Sequence, residues 1–214
     1  MAPSRKRKAR APTTRDLEAE FCRILVKTGA TRFGLFKLSS GKLSPYYIDL
    51  RMIPGDPQGL RTVIEIYEKV AGTKIGITAF DRIAGVPTAG VPYASILAYR
   101  LAKPFLYVRK ETKTHGGERR VEGQLLPGER VLLVDDLTTT GKNTLQAAEA
   151  IRAEGGQVNH AIVLIDRQEG GVSALAQARI KLCAFTTVTR MARRLHDSGV
   201  IEEDQYRAIL AQIG

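Results

Sequence analysis

Cysteine and long apolar runs are what this sequence has least of. Only Cys22 and Cys183 occur among its 214 residues, far apart and without the paired spacing of a zinc site. A disulfide framework is thereby excluded as the basis of the fold. Both thiols are expected to be reduced, buried, small apolar residues of a cytoplasmic protein. No stretch approaches the ~18 consecutive apolar residues that a membrane span needs, and the N-terminus lacks the apolar core of a secretion signal. There is no internal repeat and no linker-like segment to divide a second domain from the first.

What is present is ordinary for a soluble globular protein: 43% hydrophobic and 26% charged residues. The length suits one α/β domain with a full core. The net charge of +11 is unevenly placed. Residues 1–15 hold six basic side chains (Arg5, Lys6, Arg7, Lys8, Arg10, Arg15) and no acidic one, which leaves 27 basic against 22 acidic in the remainder. Residues 1–14, rich in Pro, Ala, Lys and Arg without periodicity, are therefore expected to be a disordered basic tail, and 15–214 one folded domain. Weak attraction of the tail to nucleic acid is all that this charge implies.

Periodicity gives the element order. A helix is expected over 16–27, with Leu17, Phe21, Ile24 and Leu25 on one face, then strands over 33–38 and 44–50 joined as a hairpin. Helices follow at 61–70 and 91–101, with strands at 82–85 and 105–108. Arg109 to Arg120 contains no apolar residue and is expected to be a mobile basic loop, with Gly116 and Gly117 as its hinge. A solvated surface loop is the alternative. Beyond it lie strands at 131–134, 160–165 and 180–185, helices at 145–154 and 172–178, and two C-terminal helices.

The stretch from Val131 to Thr144 carries the chemistry. Four apolar residues form a buried strand, Asp135 and Asp136 stand where it ends, and a turn of Thr138, Thr139, Thr140 and Gly141 leads into a helix. In open α/β sheets ligands bind at the carboxyl ends of strands, and a helix N-terminus offers unpaired N–H groups. A phosphate suits the turn, and the carboxylates suit sugar hydroxyls or a divalent cation. The alternative is a plain βα turn whose Asp and Thr residues only cap the helix. A P-loop is excluded: Asp136 stands where its first Gly belongs, and Asn143 where its Ser or Thr belongs. Two more strand ends, Val86-Pro-Thr-Ala-Gly90 and Asp166-Arg-Gln-Glu-Gly-Gly171, would meet this one at the same sheet edge.

Val131 to Thr144 resembles the signature of type I phosphoribosyltransferases, which bind phosphoribosyl pyrophosphate (PRPP). Three more segments resemble the orotate phosphoribosyltransferase family: Leu38-Ser-Ser-Gly-Lys-Leu-Ser-Pro-Tyr-Tyr-Ile-Asp-Leu-Arg51, Arg109-Lys-Glu-Thr-Lys-Thr-His115 and Ile165-Asp-Arg-Gln-Glu-Gly-Gly171. The resemblance implies a central, mostly parallel sheet flanked by helices, a hood mainly from 15–55 with C-terminal contributions, and a flexible catalytic loop. It implies Mg²⁺-dependent transfer of ribose 5-phosphate from PRPP to orotate, in pyrimidine (UMP) biosynthesis, by a homodimer that shares its active sites.

By the same resemblance, Asp135 and Asp136 face the ribose hydroxyls and the metal. Leu137, Thr138, Thr139, Thr140, Gly141, Lys142, Asn143 and Thr144 surround the 5′-phosphate, and Val86, Pro87, Thr88, Ala89 and Gly90 lie along the pyrophosphate. Arg109, Lys110, Lys113 and His115 close over it, with Lys113 and His115 serving the leaving group. Tyr47, Ile48, Thr139 and Arg167 receive orotate. Ser39 and Ala84 stand where many members carry lysines, and Lys142 where a small residue is commoner; Lys142 is expected to add a cation near the 5′-phosphate. The competing readings are a PRPP-sensing regulator that binds nucleic acid, and a transferase for another nucleobase.

Overall fold

The computed structural model describes residues 13–37, 41, 43–110 and 119–213. Helix α1, Thr14–Lys27, opens on a reciprocal cap: Thr13 N donates to Asp16 Oδ2 (2.8 Å) and Asp16 N to Thr13 Oγ1 (3.2 Å). This box caps the helix at Thr13, three residues before the helix start expected at Asp16. The remaining tail residues, 1–12, lie outside the described residues.

Strands β1, Thr31–Lys37, and β2, Leu43–Ile48, pair antiparallel as a separate two-stranded sheet. The second was expected to reach Leu50. It stops at Ile48 because Asp49 accepts from Arg51 N and turns the chain into a single 3-10 stretch, Leu50–Gly55. Helix α2, Pro57–Val70, begins four residues earlier than the apolar pattern suggested, because Pro57 fits the first helical position.

The large sheet is built from β3 (Arg82–Gly85), β4 (Phe105–Val108), β5 (Val121–Glu122), β6 (Arg130–Val134), β7 (Leu137–Thr138), β8 (Gln157–Asp166) and β9 (Lys181–Thr187). Its order is β5-β4-β3-β6-β8, with β9 on the far side of β8 and β7 pairing with the last residues of β8. Every pairing is parallel except β4 with β5. Between the strands lie α3 (Gly90–Arg100), α4 (Lys142–Ala153) and α5 (Gly171–Gln177), followed by α6 (Val188–Asp197) and α7 (Glu203–Ile213).

The sheet separates two apolar clusters, because alternate strand residues face opposite sides. Leu132 and Val134 of β6 pack with residues of α1, α2, α3 and α6. Val131 and Leu133 pack with Ala147 and Ile151 of α4 and Leu175 of α5. Helices on both faces are what a parallel sheet requires. The hairpin is tied to the C-terminus where Ser44 Oγ donates to Gln212 Oε1 of α7 (2.9 Å). Among the described residues no helix is long and apolar enough to cross a membrane.

Candidate active site

The parallel strands β3, β6 and β8 align Gly85 with Val134 and Val134 with Ile162, so the turns that follow them start from one edge. Glycines then let these turns touch. A Cβ on Gly90 would lie 2.3 Å from Val134 O and 2.9 Å from Asp135 Cα. A Cβ on Gly171 would lie 2.6 Å from Thr139 O. No larger residue permits either approach without displacing backbone.

Asp135 and Asp136 are both buried. Their oxygens are held by neighbouring amides: Asp136 N donates to Asp135 Oδ1 (2.9 Å) and Leu137 N to Asp136 Oδ1 (2.7 Å). Among the described residues no Lys or Arg forms a salt bridge with either. Burial pushes both carboxyls above the ordinary carboxylate range, well above for Asp135, where the charge of Asp136 adds to the effect. Such a pair at a ligand-binding edge gains from sugar hydroxyls or a cation, which would compensate the buried charge.

The turn after the pair is shorter than expected. Leu137 and Thr138 pair with Ile165 and Asp166 as β7, and Thr144 is buried inside α4 instead of lying in the turn. Thr139, Thr140 and Gly141 remain. Gly141, left-handed at φ 81, occupies the cap position of α4 without a side-chain cap bond. The first amides of α4, including those of Lys142 and Asn143, are thus uncapped by any side chain, the arrangement that receives a phosphate. Both residues are exposed.

The side chain of Val86 is buried in the core, and its amide donates to Val134 O (3.0 Å), so only the backbone of this turn and the partly open Pro87, Thr88 and Ala89 face outward. Pro87, Thr88, Arg109 and Lys110 line one cavity of about 370 Å³. Arg109 N donates to Arg120 O (2.8 Å), closing the base of the basic loop. Lys113 and His115 lie outside the described residues.

Ile48 is buried and Tyr47 partly so. Arg167, whose side chain is 8% exposed, sits with its guanidinium carbon 5.0 Å from the ring centre of buried Tyr46. Among the described residues its Nε and Nη2 have no hydrogen-bond partner, although Glu169 Oε1 lies 2.9 Å from Nη2 as an ion pair. A buried guanidinium with spare donors suits a planar carboxylate.

A profile of the phosphoribosyl transferase domain matches residues 55–183. The orotate phosphoribosyltransferase of Pyrobaculum aerophilum is 43% identical over 187 residues, 87% of this chain and 94% of that one. The chain belongs to the orotate phosphoribosyltransferase family. The crystal structure of orotate phosphoribosyltransferase from Aeropyrum pernix agrees with a TM-score of 0.72 at 35% identity, covering 82% of this chain and 98% of that one. The Leishmania donovani UMP synthase structure gives 0.82 at 34% identity, covering 92% of this chain but 42% of that one. The fold expected from the resemblance, an α/β fold with a mostly parallel central sheet, is the one this orotate phosphoribosyltransferase family member adopts.

The residues present also fit a Mg²⁺ that travels with a polyphosphate. Two buried carboxylates with no Lys or Arg salt bridge among the described residues stand at the site, and among the described residues no set of three His, Cys, Asp or Glu side chains forms a protein-only cage. Mg²⁺ commonly takes one or two carboxylates and completes its shell from substrate and water.

Four residues near the site carry contacts that sequence alone does not signal. Tyr67 Oη donates to Asp135 O (2.7 Å), Tyr93 Oη donates to Leu50 O (2.5 Å), and Asp49 holds Arg51 through both carboxylate oxygens. Tyr67 and Tyr93 fall on apolar helix faces and so look like core. Asp49 fell inside the strand expected over 44–50, with Arg51 just beyond it, so their pairing was not signalled.

Proposed function

We propose that the protein is a Mg²⁺-dependent orotate phosphoribosyltransferase, joining orotate to the ribose 5-phosphate of PRPP with release of pyrophosphate, as a cytoplasmic homodimer of pyrimidine biosynthesis. One juxtaposition carries the reading: the buried pair Asp135–Asp136, the uncapped amides of α4 and the buried guanidinium of Arg167 belong to neighbouring turns at one sheet edge.

In the transfer, a ring nitrogen of orotate bonds to C1′ as the bond from C1′ to the pyrophosphate oxygen breaks. Positive charge develops on the sugar and negative charge on the departing group. No protein nucleophile is needed, because holding the partners in line supplies much of the barrier reduction. The backbone from Thr139 to Asn143 anchors the 5′-phosphate, with Lys142 adding a cation beside it. Asp135 and Asp136 accept the ribose hydroxyls, and their negative charge favours the electron-poor sugar. Arg167 grips the orotate carboxylate, with Thr139 and the Tyr47–Ile48 backbone fixing the ring. Asp135 and Asp136 would hold a Mg²⁺ arriving with PRPP, which would supply charge neutralisation on the diphosphate. Arg109 and Lys110, with Lys113 and His115 of the same basic loop, close on the leaving group, and Lys113 or His115 supplies it a proton or a compensating charge. The loop serves the site of the second copy.

Mixing the protein with PRPP, Mg²⁺ and orotate tests this, with uracil and hypoxanthine as controls. Orotate absorbance is expected to fall, and neither control to react. Tight PRPP binding without turnover of orotate would point to a sensor, and turnover of a control to another nucleobase.

A further inference from the structure

The Asp49–Arg51 pair stands beside the acidic site, and no step of the transfer uses it. Asp49 Oδ1 takes Arg51 Nε at 2.6 Å and Oδ2 takes Nη2 at 2.8 Å, a two-point fork that fixes the guanidinium plane. The Arg51 side chain is nevertheless 64% exposed. A guanidinium bonded through Nε and one Nη2 proton keeps three N–H groups free. The fork is therefore aimed without being used up.

Two tyrosines fix where this pair stands. Tyr93 binds Leu50 O, between the two charged residues, and Tyr67 binds Asp135 O; their rings are 5.7 Å apart. The segment 49–51 is thus bolted through α3 and α2 to the end of β6. Arg51 and Asp136 are close enough for their charges to act on each other, and Asp49 raises the carboxyl of Asp136 further. Other charges near Asp49 include Arg32, whose guanidinium carbon lies 5.2 Å from the Tyr47 ring centre. Three carboxylates therefore gather where a strongly anionic substrate must enter, and Arg51 is an exposed cation fixed among them.

We propose that Arg51 is a PRPP-binding residue, with Asp49 as its positioning residue: the free edge of the guanidinium contacts the diphosphate-bearing side of PRPP as it settles against Asp135 and Asp136. The inference rests on the reading of this edge as a PRPP site, and it assigns Arg51 to that substrate and not to orotate. The larger cavity between α1 and α6, about 650 Å³, makes a weaker candidate, because its Arg23, Lys27 and Arg194 are already paired with Glu20, Asp56 and Glu18.

The test measures PRPP–Mg²⁺ binding by calorimetry without orotate, then both Michaelis constants, for the wild type, Arg51→Ala, Arg51→Lys and Asp49→Asn. Arg51→Ala is expected to weaken PRPP binding by about tenfold or more, the effect of one charge-assisted contact. Arg51→Lys should recover part of it, and Asp49→Asn should fall between. The orotate constant should stay within about twofold, and the melting temperature of each unliganded variant within about 4 °C of wild type. PRPP binding unchanged in Arg51→Ala, or a change confined to the orotate constant, would overturn the assignment. A wild type that binds PRPP without consuming orotate would sink the enzymatic reading while leaving the Arg51 comparison intact. A wild type that binds no PRPP would sink both.

Discussion

Replacing Arg167 by Met should separate binding from stability in opposite directions. The side chain is almost fully buried, and among the described residues two of its nitrogens lack hydrogen-bond partners. In the unliganded protein it gains about 1–2 kcal/mol from the face of Tyr46 and about 0.2–1 kcal/mol from Glu169, which is itself 35% exposed. Against this, each buried unpaired donor costs about 1–3 kcal/mol. Met fills similar volume without that cost. Two such donors cost about 2–6 kcal/mol against a gain of about 1–3 kcal/mol, so the balance centres on about 2 kcal/mol in favour of the variant, and its melting temperature should exceed that of wild type by roughly 4–8 °C. Orotate binding should suffer, because loss of a buried charge partner costs about 2–5 kcal/mol, roughly 30-fold or more in the orotate Michaelis constant. The PRPP constant should hardly move. Differential scanning calorimetry and steady-state kinetics read both effects. A variant that melts more than about 6 °C lower, with both constants unchanged, would show that Arg167 is a structural ion-pair member and refute the reasoning.

Gly90→Ala places a methyl group 2.3 Å from Val134 O. The helix start must back away from β6, which is expected to lower the melting temperature by roughly 3–10 °C and to raise the PRPP Michaelis constant; an unaltered melt would contradict the close approach. Asp135→Asn should stabilise the ligand-free protein at neutral pH while abolishing turnover. The sign follows from the raised carboxyl: the folded state holds the Asp135 proton more tightly than the unfolded state, so the wild type is favoured below the ordinary value of 3.8 and loses that advantage as pH rises towards the folded value. Melting curves in metal-free buffer from pH 4 upward should show the variant's advantage widening, and a constant gap would exclude the mechanism.

Strand β6 and the acidic pair were legible because four consecutive apolar residues followed by Asp-Asp mark the carboxyl end of a buried strand in an α/β chain. The helices were legible to within a few residues, and their ends shifted for local reasons. Thr13 caps α1 earlier than the charge pattern suggests, Pro57 opens α2, and α4 starts directly after left-handed Gly141. Asn143 and Thr144 read as turn because such residues favour caps, yet packing takes Thr144 into the helix. Strand β7 was invisible: a two-residue pairing depends on a ten-residue neighbour, β8, and not on its own sequence. The bond from Tyr67 to Asp135 spans 68 positions, and no local pattern announces a contact at that separation. The site's residue types could be read from sequence, whereas the bracing behind them required coordinates.

Whether this edge of the sheet receives the phosphorylated sugar is tested most directly by a crystal structure of the protein with PRPP and Mg²⁺, without orotate. It should show the 5′-phosphate against the amides of 139–143 and the ribose hydroxyls on Asp135 and Asp136. Well-ordered PRPP bound elsewhere, with that edge holding only water, would contradict it.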